Sequence, residues 1–532
     1  MKTKPTKNIN EEFNKYSKDE LVRLCITLKG QLEETNDRME NMLEQIRLAQ
    51  HKRFGSSSEK YKLSEGYEQI GIYFNEAEHT ANEELEEPEY EEVVKKVRRK
   101  KSKGKRESDL SNFPVVVINH KIPEEELKCK ECEGVLSEMV TETYKVLKFI
   151  PAHFEVEEHV VQVYSCDDCE TVVRADRPQT LLRGSIATPS LVASIMNAKY
   201  VNALPLNRQE EEFKRYNVNI SRQTMANWMI RCAEEYLYLI YCRLKKSLLM
   251  TSHIQADETR VTVLKEDGRK PGTESWMWVY RTGELLIKKP VILFEYQKTR
   301  AMYHPKEFLS GYIGNLTTDG YSAYKDLPYE INVSGCWAHL RRKFLDCIKG
   351  LSKSLQKGTV ANEALKRIGL LYKIEEVLSE KTADERLKER SVQSKPIVDS
   401  FYEWVYKTSA AVPGNSLIAK AFTYAKNQKE YLYKFLSDGL IPIDNNATER
   451  AIRPFAIGRG NWLFCATPKG AEASAIIYSI VETAKANNLK PYDYLTHLLS
   501  EIPKHYTGTS QDFIDKLLPW SDDIPSNCKK SL

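Results

Sequence analysis

The chain has 532 residues, of which 41% are hydrophobic and 29% charged, and its formal net charge is +4. This composition is ordinary for a soluble protein, and the length predicts roughly three or four domains. No apolar run approaches the roughly 20 residues that span a bilayer. The start, Met1–Lys7, is not followed by the apolar core of a secretion signal. Eleven cysteines, an odd number, disfavour a disulfide scaffold. We therefore expect an intracellular protein with no membrane partner.

Residues 1–50 are predicted to form a coiled coil for self-association. Apolar side chains recur at alternating spacings of four and three from Leu21 to Ile46, as the seam of a coiled coil requires. An amphipathic helix packed on its own protein is the alternative. The coiled coil predicts a homo-oligomer.

Residues 51–112 are predicted to form a flexible charged linker, because they lack apolar periodicity. Within it, Lys95–Arg106 contains nine Lys or Arg in twelve residues, among them Lys100 and Lys101. Such a stretch either tracks DNA phosphates, which makes binding sensitive to salt, or is a solvated charge run. The sequence alone leaves both interpretations open.

A zinc ribbon is predicted over residues 113–180 from two Cys-x-x-Cys pairs. The pairs are Cys129 with Cys132 and Cys166 with Cys169. A two-residue gap lets both thiolates of a pair reach one ion, and two pairs complete the shell of a structural Zn²⁺. Between the pairs, Thr143–Ile150 and Phe154–Tyr164 are predicted as paired strands. A catalytic metal fits less well, since four thiolates leave no open position.

Residues 181–250 are predicted to form a helical, helix-turn-helix-like DNA-binding region. Helices are expected after Pro189 and over Leu206–Arg215, and Ser221 is expected to cap a third. Three side chains in the first two turns of that third helix are assigned to major-groove reading: Arg222, Gln223 and Asn227. The alternative is an ordinary helical hairpin whose polar residues face water.

A run of strand signals then predicts the first part of an RNase H-like core over residues 251–345. The expected strands are Thr259–Leu264, Ser275–Tyr280, Pro290–Glu295, Asn315–Thr318 and Ile331–Ser334. Three hairpin-like strands followed by strand–helix units fit such a core. A helical insertion is predicted over 346–437, the last part of the core over 438–485, and a C-terminal segment over 486–532. The fold class is modular α+β.

Three acidic residues are positioned to aim carboxylates into one pocket. Asp257 lies on the first strand of the core, Asp319 just after the fourth, and Glu449 in the helix-like stretch Asp444–Pro454. Carboxylates that converge in this way hold two divalent cations, Mg²⁺ or Mn²⁺, as cutting or joining a phosphodiester backbone requires. The alternatives are turn acceptors at the two aspartates and a capping-box-like pair of Glu449 with Asn446.

Several basic side chains near these carboxylates are predicted to contact DNA, since Arg binds phosphate in bidentate geometry. They are Arg341, Arg342, Arg450, Arg453 and Arg459. His339 is predicted to contact a phosphate or to assist proton movement. A satisfied core histidine is the alternative.

Motifs spread along nearly the whole chain carry a resemblance to a known family. They are His51–Lys60, the two cysteine pairs, Leu204–Gln209, Ser221–Trp228, Gln255–Thr259, Thr318–Tyr324, Cys336–Arg342, Asp444–Pro454, Gly458–Phe464 and Asn487–Leu495. In these motifs the chain resembles the transposases of the IS66 insertion-sequence family. It departs from them at Ser56 and Ser57, where basic residues are usual, and at Gly460, where Lys is common.

The resemblance implies a DNA transposase with a DDE triad of Asp257, Asp319 and Glu449 in an RNase H-like core interrupted by an all-α insertion. It also implies action on the inverted repeats of an element, a bacterial cytoplasmic location at the nucleoid, and small accessory proteins encoded alongside. Two other functions remain open: a repressor or domesticated derivative that binds DNA without cutting it, and a nuclease without strand transfer.

Overall fold

The computed structural model describes residues 153–165, 172–176 and 180–530, apart from 271, 287, 325, 350, 352, 413, 415 and 506–511, with a few earlier positions (17–20, 22, 27, 29 and 117). The predicted linker with Lys100 and Lys101, the four zinc-ribbon cysteines and most of the predicted coiled coil lie outside the described residues. The described residues belong to two units, one of which contains 153–176 and the other 180–530.

The first unit contains a short hairpin. Strand β1 (Val163–Ser165) pairs antiparallel with β2 (Val172–Arg174), with Ser165 opposite Val172. The second cysteine pair therefore lies in sequence between two paired strands. The predicted strand Phe154–Tyr164 is wrong over most of its length, because residues 153–162 are not part of a strand. Side chains from 153 to 160 are all exposed, so no apolar face is covered that would hold a strand there.

Helices come first in the second unit. They are α1 (Pro189–Tyr200), α2 (Leu206–Arg215), α3 (Arg222–Cys232) and α4 (Tyr238–Leu249). The predicted cap is confirmed, since the Ser221 side chain accepts a hydrogen bond from Thr224 N at 3.1 Å. A single π-helical turn, Ala233–Leu237, joins α3 to α4. The predicted DNA-reading helix is therefore the first part of one long helix.

A five-stranded mixed sheet follows. Its strands are β3 (His253–Thr262), β4 (Glu274–Thr282), β5 (Ile292–Gln297), β6 (Gly314–Thr317) and β7 (Ile331–Ser334). Their order is β5-β4-β3-β6-β7; the first three pair antiparallel, whereas β6 and β7 run parallel to β3. The five predicted strands are present, and β3 begins early enough to include Asp257. Helix α5 (Tyr303–Phe308) and a 3₁₀ turn (Ser322–Tyr324) lie between strands.

After β7 the chain is helical from Trp337 to Leu436, so the all-α segment begins nine residues before the predicted insertion of 346–437. This whole helical segment is called the insertion below. Its helices are α6 (Trp337–Ile348), α7 (Lys353–Gln356), α8 (Val360–Val377), α9 (Ala383–Glu389), α10 (Lys395–Ser409), α11 (Leu417–Asn427) and α12 (Lys429–Tyr433), with a π turn at Arg390–Ser394 and a 3₁₀ turn at Lys434–Leu436. They bury a hydrophobic core of their own, which includes Phe344, Phe401 and Phe422. The two ends of the insertion meet, because Trp337 N donates to Ile443 O at 3.1 Å.

Further helices complete the fold and cover the sheet edge. They are α13 (Asn446–Trp462), α14 (Pro468–Ala486), α15 (Pro491–His505) and α16 (Phe513–Lys516), followed by a 3₁₀ turn at Ser526–Cys528. Two backbone N–H groups of the edge strand β5 donate to hydroxyls of α14: Ile292 N to Thr483 Oγ1 at 3.0 Å and Phe294 N to Ser479 Oγ at 2.7 Å. The hydroxyls of α14 thus occupy backbone donors that an open edge would expose.

One continuous hydrophobic core joins the first helices, the sheet and the last helices. It includes Leu237, Trp278, Phe294, Tyr478 and Leu498, all fully buried. The helices before the sheet are therefore packed as part of the same unit that carries the acidic residues. None of the helices in the described residues is long and apolar enough to cross a membrane.

Candidate functional site

The register of two parallel strands places Asp257 beside Asp319. Gln255 on β3 pairs with Thr317 on β6, and each aspartate follows two residues later along its chain. Side chains two residues apart lie on the same face of a strand. Asp257 and Asp319 therefore lie level with each other where β6 ends.

A third carboxylate, Glu258, belongs to this cluster. One oxygen each of Asp257, Glu258 and Asp319 lie within 4.8 Å of one another. The sequence did not predict Glu258, because neighbouring residues in a strand point to opposite faces. Since β6 ends at Thr317, β3 has no strand partner beside Glu258 on that side, and its side chain meets Asp319 there.

Glu258 is fully buried and balanced by two donors. Arg300 Nε donates to its carboxylate at 2.7 Å, and the Tyr324 hydroxyl donates at 2.8 Å. The Arg300 guanidinium also lies 3.5 Å from the centroid of the Tyr321 ring and 4.8 Å from that of Trp276. Stacking and ion pairing together fix the position of the guanidinium. Arg300 is thus a second residue of the site that sequence patterns did not reveal.

Asp319 is both a turn residue and a member of the cluster. Its Oδ1 accepts a hydrogen bond from Tyr321 N at 2.8 Å, and Gly320 follows with φ of +87°. A Cβ on Gly320 would lie 2.8 Å from Gln428 Oε1, so only glycine fits this turn without a shift. Asp319 therefore accepts a hydrogen bond within a turn, as the alternative interpretation states. The same turn holds its carboxylate close to that of Asp257.

Helix α13 brings Glu449 to the same side of β3. Asn445, at its N-terminal end, donates through Nδ2 to Ala256 O at 2.8 Å and accepts from Gln255 Nε2 at 3.2 Å. Glu449 lies one turn later on the same helix face. The capping-box interpretation of Glu449 is wrong, because the helix begins at Asn446, its N-cap is Asn445, and no side-chain cap is formed.

Glu449 is held by the insertion. Arg342 donates to its two carboxylate oxygens at 3.1 and 3.0 Å. His339 Nε2 lies 3.8 Å from Glu449 Oε1, and its Nδ1 is buried without a hydrogen-bond partner among the described residues. His339 is therefore not a satisfied core histidine. The structure brings Asp257 and Asp319 together with Glu258. Glu449 lies outside that group and forms an ion pair with Arg342, although its charge acts on Asp257.

The electrostatics of the cluster favour a cation. Burial, then the charges of Glu258, Asp319 and Glu449, raise the pKa of Asp257 well above its usual range. Burial and Asp319 raise the pKa of Glu258 to about 7, although Arg300 and Tyr324 oppose the shift. Clustered carboxylate oxygens are the ligands that Mg²⁺ and Mn²⁺ prefer. The residues present therefore fit a divalent metal site, which would relieve the repulsion between them.

The predicted DNA contacts divide into two groups. Six of these side chains are exposed: Arg222, Gln223, Asn227, Arg341, Arg450 and Arg453. Of these, Arg450 forms an ion pair with Glu284. Arg342 is bound to Glu449, and Arg459 donates to Thr259 Oγ1 at 3.1 Å and to Arg260 O. The last two are thus engaged within the protein.

Comparison with known protein families agrees with this geometry. The family described as "Transposase IS66 family" matches residues 184–473, which include all the acidic residues discussed above. The chain belongs to the IS66 family of transposases. A second match, "IS66 C-terminal element", covers residues 479–520 of this IS66-family protein.

Two further matches cover the part of this IS66-family protein that lies largely outside the described residues. The "zinc-finger binding domain of transposase IS66" matches residues 126–170, a range that contains all four cysteines of the predicted ribbon. The "Transposase C of IS166 homeodomain" matches residues 41–118. That range includes the whole of the predicted linker, residues 51–112.

Similar proteins occur in Sinorhizobium fredii (strain NBRC 101917 / NGR234). The "Uncharacterized protein y4qI" is 30% identical over 507 residues, which cover 93% of this chain and 91% of that protein. The "Uncharacterized protein y4hP" is 29% identical over 412 residues, or 74% of this chain and 73% of that protein. The likeness to these proteins therefore extends over most of the IS66-family chain.

Proposed function

We propose that this protein is a DNA transposase that binds the terminal inverted repeats of an insertion sequence and catalyses metal-dependent strand cleavage and strand transfer. The observation that carries the proposal is that oxygens of Asp257 and Glu258, in the middle of β3, lie within 4.8 Å of one another and of Asp319, just past the end of the parallel strand β6. In a member of a transposase family, such a cluster suits phosphodiester chemistry.

We propose that the sheet is an RNase H-like core interrupted by the all-α insertion. Three antiparallel strands followed by two parallel ones, in the order β5-β4-β3-β6-β7, support this assignment. The insertion enters after β7 and returns directly into α13, so it does not separate Asp319 from Glu449 in space.

Asp257, Asp319 and Glu449 would hold two Mg²⁺ or Mn²⁺ ions, with Glu258 supporting the site from beside them. When bound, such ions activate the attacking hydroxyl and stabilise the leaving oxygen. The protein's own side chains hold these carboxylates in position. Arg342 orients the Glu449 carboxylate, and Arg300 keeps Glu258 in place by two contacts. Because these groups are already ordered, the reacting phosphate meets a prearranged set of charges.

DNA is the proposed partner along several surfaces. The exposed Arg222, Gln223 and Asn227 at the start of α3 would read the major groove, and exposed Arg453 on α13 would contact phosphate. The four cysteines at 129, 132, 166 and 169 would hold a structural Zn²⁺. The proposal also includes self-association through residues 1–50. Small accessory proteins would assist the reaction, and the protein would associate with the nucleoid.

A strand-transfer reaction tests the function directly. Purified full-length protein is mixed with labelled element-end DNA and a target plasmid, in Mg²⁺, in Mn²⁺ and in EDTA. We expect joined products in either metal, none in EDTA and none with Asp257→Ala, whereas the exposed matched control Asp522→Ala retains them. End binding without any cleavage, with accessory proteins present, would instead identify a DNA-binding protein. Nicks without joined products would identify a nuclease.

A further inference from the structure

The chain makes a strained turn directly after α13. Leu463 has φ of +63° and ψ of −47°, and Phe464 N donates to Trp462 O at 2.8 Å. This is a γ-turn of the rare type with positive φ, which a branched side chain adopts only at an energetic cost. Such outliers persist when the surrounding structure enforces them, and they cluster at functional sites.

Hydrogen bonds fix this turn on both sides. Leu463 N donates to Arg459 O at 2.8 Å, and Cys465 N donates to Thr262 O at 2.9 Å, at the end of β3. The last turn of α13 is also joined to β3, because the Arg459 guanidinium donates to Thr259 Oγ1 at 3.1 Å. The turn is therefore short, rigid and attached to the strand that carries Asp257.

The strain does not bury the side chains at the turn. Leu463 is 65% exposed and Phe464 is 45% exposed, whereas the next residue, Cys465, is 8% exposed. A single exposed leucine is ordinary on a protein surface. A leucine and a phenylalanine held side by side in solvent, on an enforced γ-turn, contribute little to the hydrophobic core of the described residues. The arrangement is better explained by a partner that accepts both side chains.

Three lysines occur near the apolar tip that Leu463 and Phe464 form. Lys199 Nζ lies 5.9 Å from the centroid of the Trp462 ring. Lys265 is exposed and donates through its backbone N to Ala466 O at 3.0 Å. The side chain of Lys469 is 72% exposed and lies 3.7 Å from Glu234 Oε1. Duplex DNA has anionic phosphates outside and stacked apolar bases inside, so exposed apolar side chains with lysines nearby suit it as a partner.

The turn is joined to β3 at Thr262, beyond the part of the strand that carries the acidic cluster. Asp257 and Thr262 are five residues apart on that strand, or about 16 Å at roughly 3.3 Å per residue. Consecutive base pairs are about 3.4 Å apart, so this length corresponds to about five base-pair steps. A duplex that lies along β3 with a phosphate at the cluster would bring its stacked bases to the turn.

We propose that Leu463 and Phe464 form an apolar wedge that inserts between stacked bases about five base pairs from the acidic cluster and unstacks that step. The inference rests on the proposed function in taking DNA as the substrate of this protein. It adds a base-unstacking site beside the end of the strand that carries Asp257. Opening the duplex there would free the strand end for the phosphate to reach the carboxylates.

The test uses 2-aminopurine, whose fluorescence rises when it is unstacked, placed at successive positions of an element-end duplex. Full-length protein is added in EDTA, so cleavage does not occur. We expect a rise at one step near the cleavage site with the parent protein and its loss with Phe464→Ala and Leu463→Gly. Glycine adopts positive φ without strain, so Leu463→Gly keeps the turn and its melting temperature while removing the wedge. Val377→Ala, at a 74% exposed valine on α8, is the matched control.

A second measurement separates this inference from the proposed function. In Mg²⁺, a duplex already mismatched at the responsive step should restore cleavage by Phe464→Ala to the parent level. If the parent protein unstacks the step but never cleaves any duplex, the proposed catalysis fails and the wedge stands. An unchanged fluorescence rise in Phe464→Ala would overturn the wedge. The wedge would also be overturned if Phe464→Ala still unstacks the duplex but light scattering shows that the variant no longer self-associates.

Discussion

Arg342, on the first helix of the insertion, donates two hydrogen bonds to Glu449 at the start of α13, at 3.1 and 3.0 Å. These residues are 107 positions apart in sequence. The insertion is thus more than a spacer between two parts of the sheet, because it supplies a side chain that fixes one of the proposed catalytic carboxylates. Arg342 Nη2 donates to both carboxylate oxygens, while Nη1 lies 3.3 Å from His339 Nε2, so the guanidinium contacts both Glu449 and His339.

Replacement of Arg342 tests this role. Arg342→Ala should lower metal-dependent cleavage by about 10- to 100-fold, the range found when a residue that orients a metal ligand is removed. Arg342→Lys should recover only part of the activity, because Arg342 uses one nitrogen for Glu449 and another beside His339, whereas lysine has a single nitrogen. Binding of end DNA should change little.

Arg341→Ala is the control, because Arg341 is the exposed neighbour on the same helix. If Arg341→Ala and Arg342→Ala weaken DNA binding equally and leave the cleavage rate of bound DNA intact, Arg342 is a DNA contact and not a positioning residue.

Removing one carboxylate should separate binding from chemistry. Asp319→Asn preserves the side-chain shape and its hydrogen bond from Tyr321 N but loses the charge that a metal ligand needs. We expect end-DNA affinity close to that of the parent, and cleavage reduced by at least the roughly 100-fold that loss of an outer-shell partner costs. Gel shifts and cleavage rates on the same duplex measure both quantities. Undiminished cleavage would show that Asp319 is not a ligand.

A divalent cation should stabilise the protein without any DNA present. Mg²⁺ at about 100 times its Kd should stabilise the folded state by about 2.7 kcal/mol, seen as a higher melting temperature. The effect should disappear in Asp257→Asn, since the repulsion that raises the pKa of Asp257 is then reduced and a ligand is lost. Asp522→Asn, at an exposed position, should show the same rise in melting temperature with Mg²⁺ as the parent. An identical shift in Asp257→Asn would place the ion elsewhere.

The half-buried Glu295 on β5, whose Oε2 is buried, predicts a loss of stability toward neutral pH. Burial raises its pKa to about 7 from a usual value of 4.5, although Lys245 opposes the shift. Between these values the folded state keeps a proton that the unfolded state releases. The free energy of unfolding therefore falls as pH rises from 4.5 to about 7 and then levels off.

Glu295→Gln removes this titration. We expect the variant to be more stable than the parent near pH 8, by at most about 3 kcal/mol, with a smaller difference near pH 5. Melting temperatures at the two pH values measure the effect, and Glu430→Gln, at an exposed position on α12, should show neither change. An advantage of equal size at both pH values would exclude titration as its cause.

The predicted zinc ribbon has a metal readout independent of activity. Cys129→Ser should lower the bound zinc by about one ion per chain, measured by elemental analysis of the purified protein. The melting transition of the unit that contains the sheet should be unchanged. Cys242→Ser, at an exposed free cysteine in α4, should keep its zinc. The same zinc content in Cys129→Ser would refute the assignment of that cysteine.

Features encoded locally were predictable from sequence. The cap at Ser221 and the five strands follow from short patterns of apolar, turn and capping residues. Asp257 and Asp319 were predictable as partners because each stands at a strand of the sheet, and parallel neighbours bring such residues together. The extra length of β3 at its start was missed, since His253 and Gln255 are polar yet buried by contacts with distant segments.

Features that depend on tertiary packing were not predictable. Glu258 joins the cluster because β6 stops at Thr317, and no pattern within β3 shows where its neighbour ends. Arg300 and Arg342 act on carboxylates 42 and 107 residues away, so no local spacing relates them. Arg459 was assigned to DNA because arginines favour phosphates, whereas the backbone of β3 provides acceptors for it within the protein.

The closed ends of the insertion have an evolutionary consequence. Trp337 N bonds to Ile443 O, and the helices between them bury their own core. We therefore expect that this segment can change in length between related proteins without moving the strands around it. We expect a copy that lost the segment to keep its sheet. It would lack Arg342, and with it the ion pair that holds Glu449.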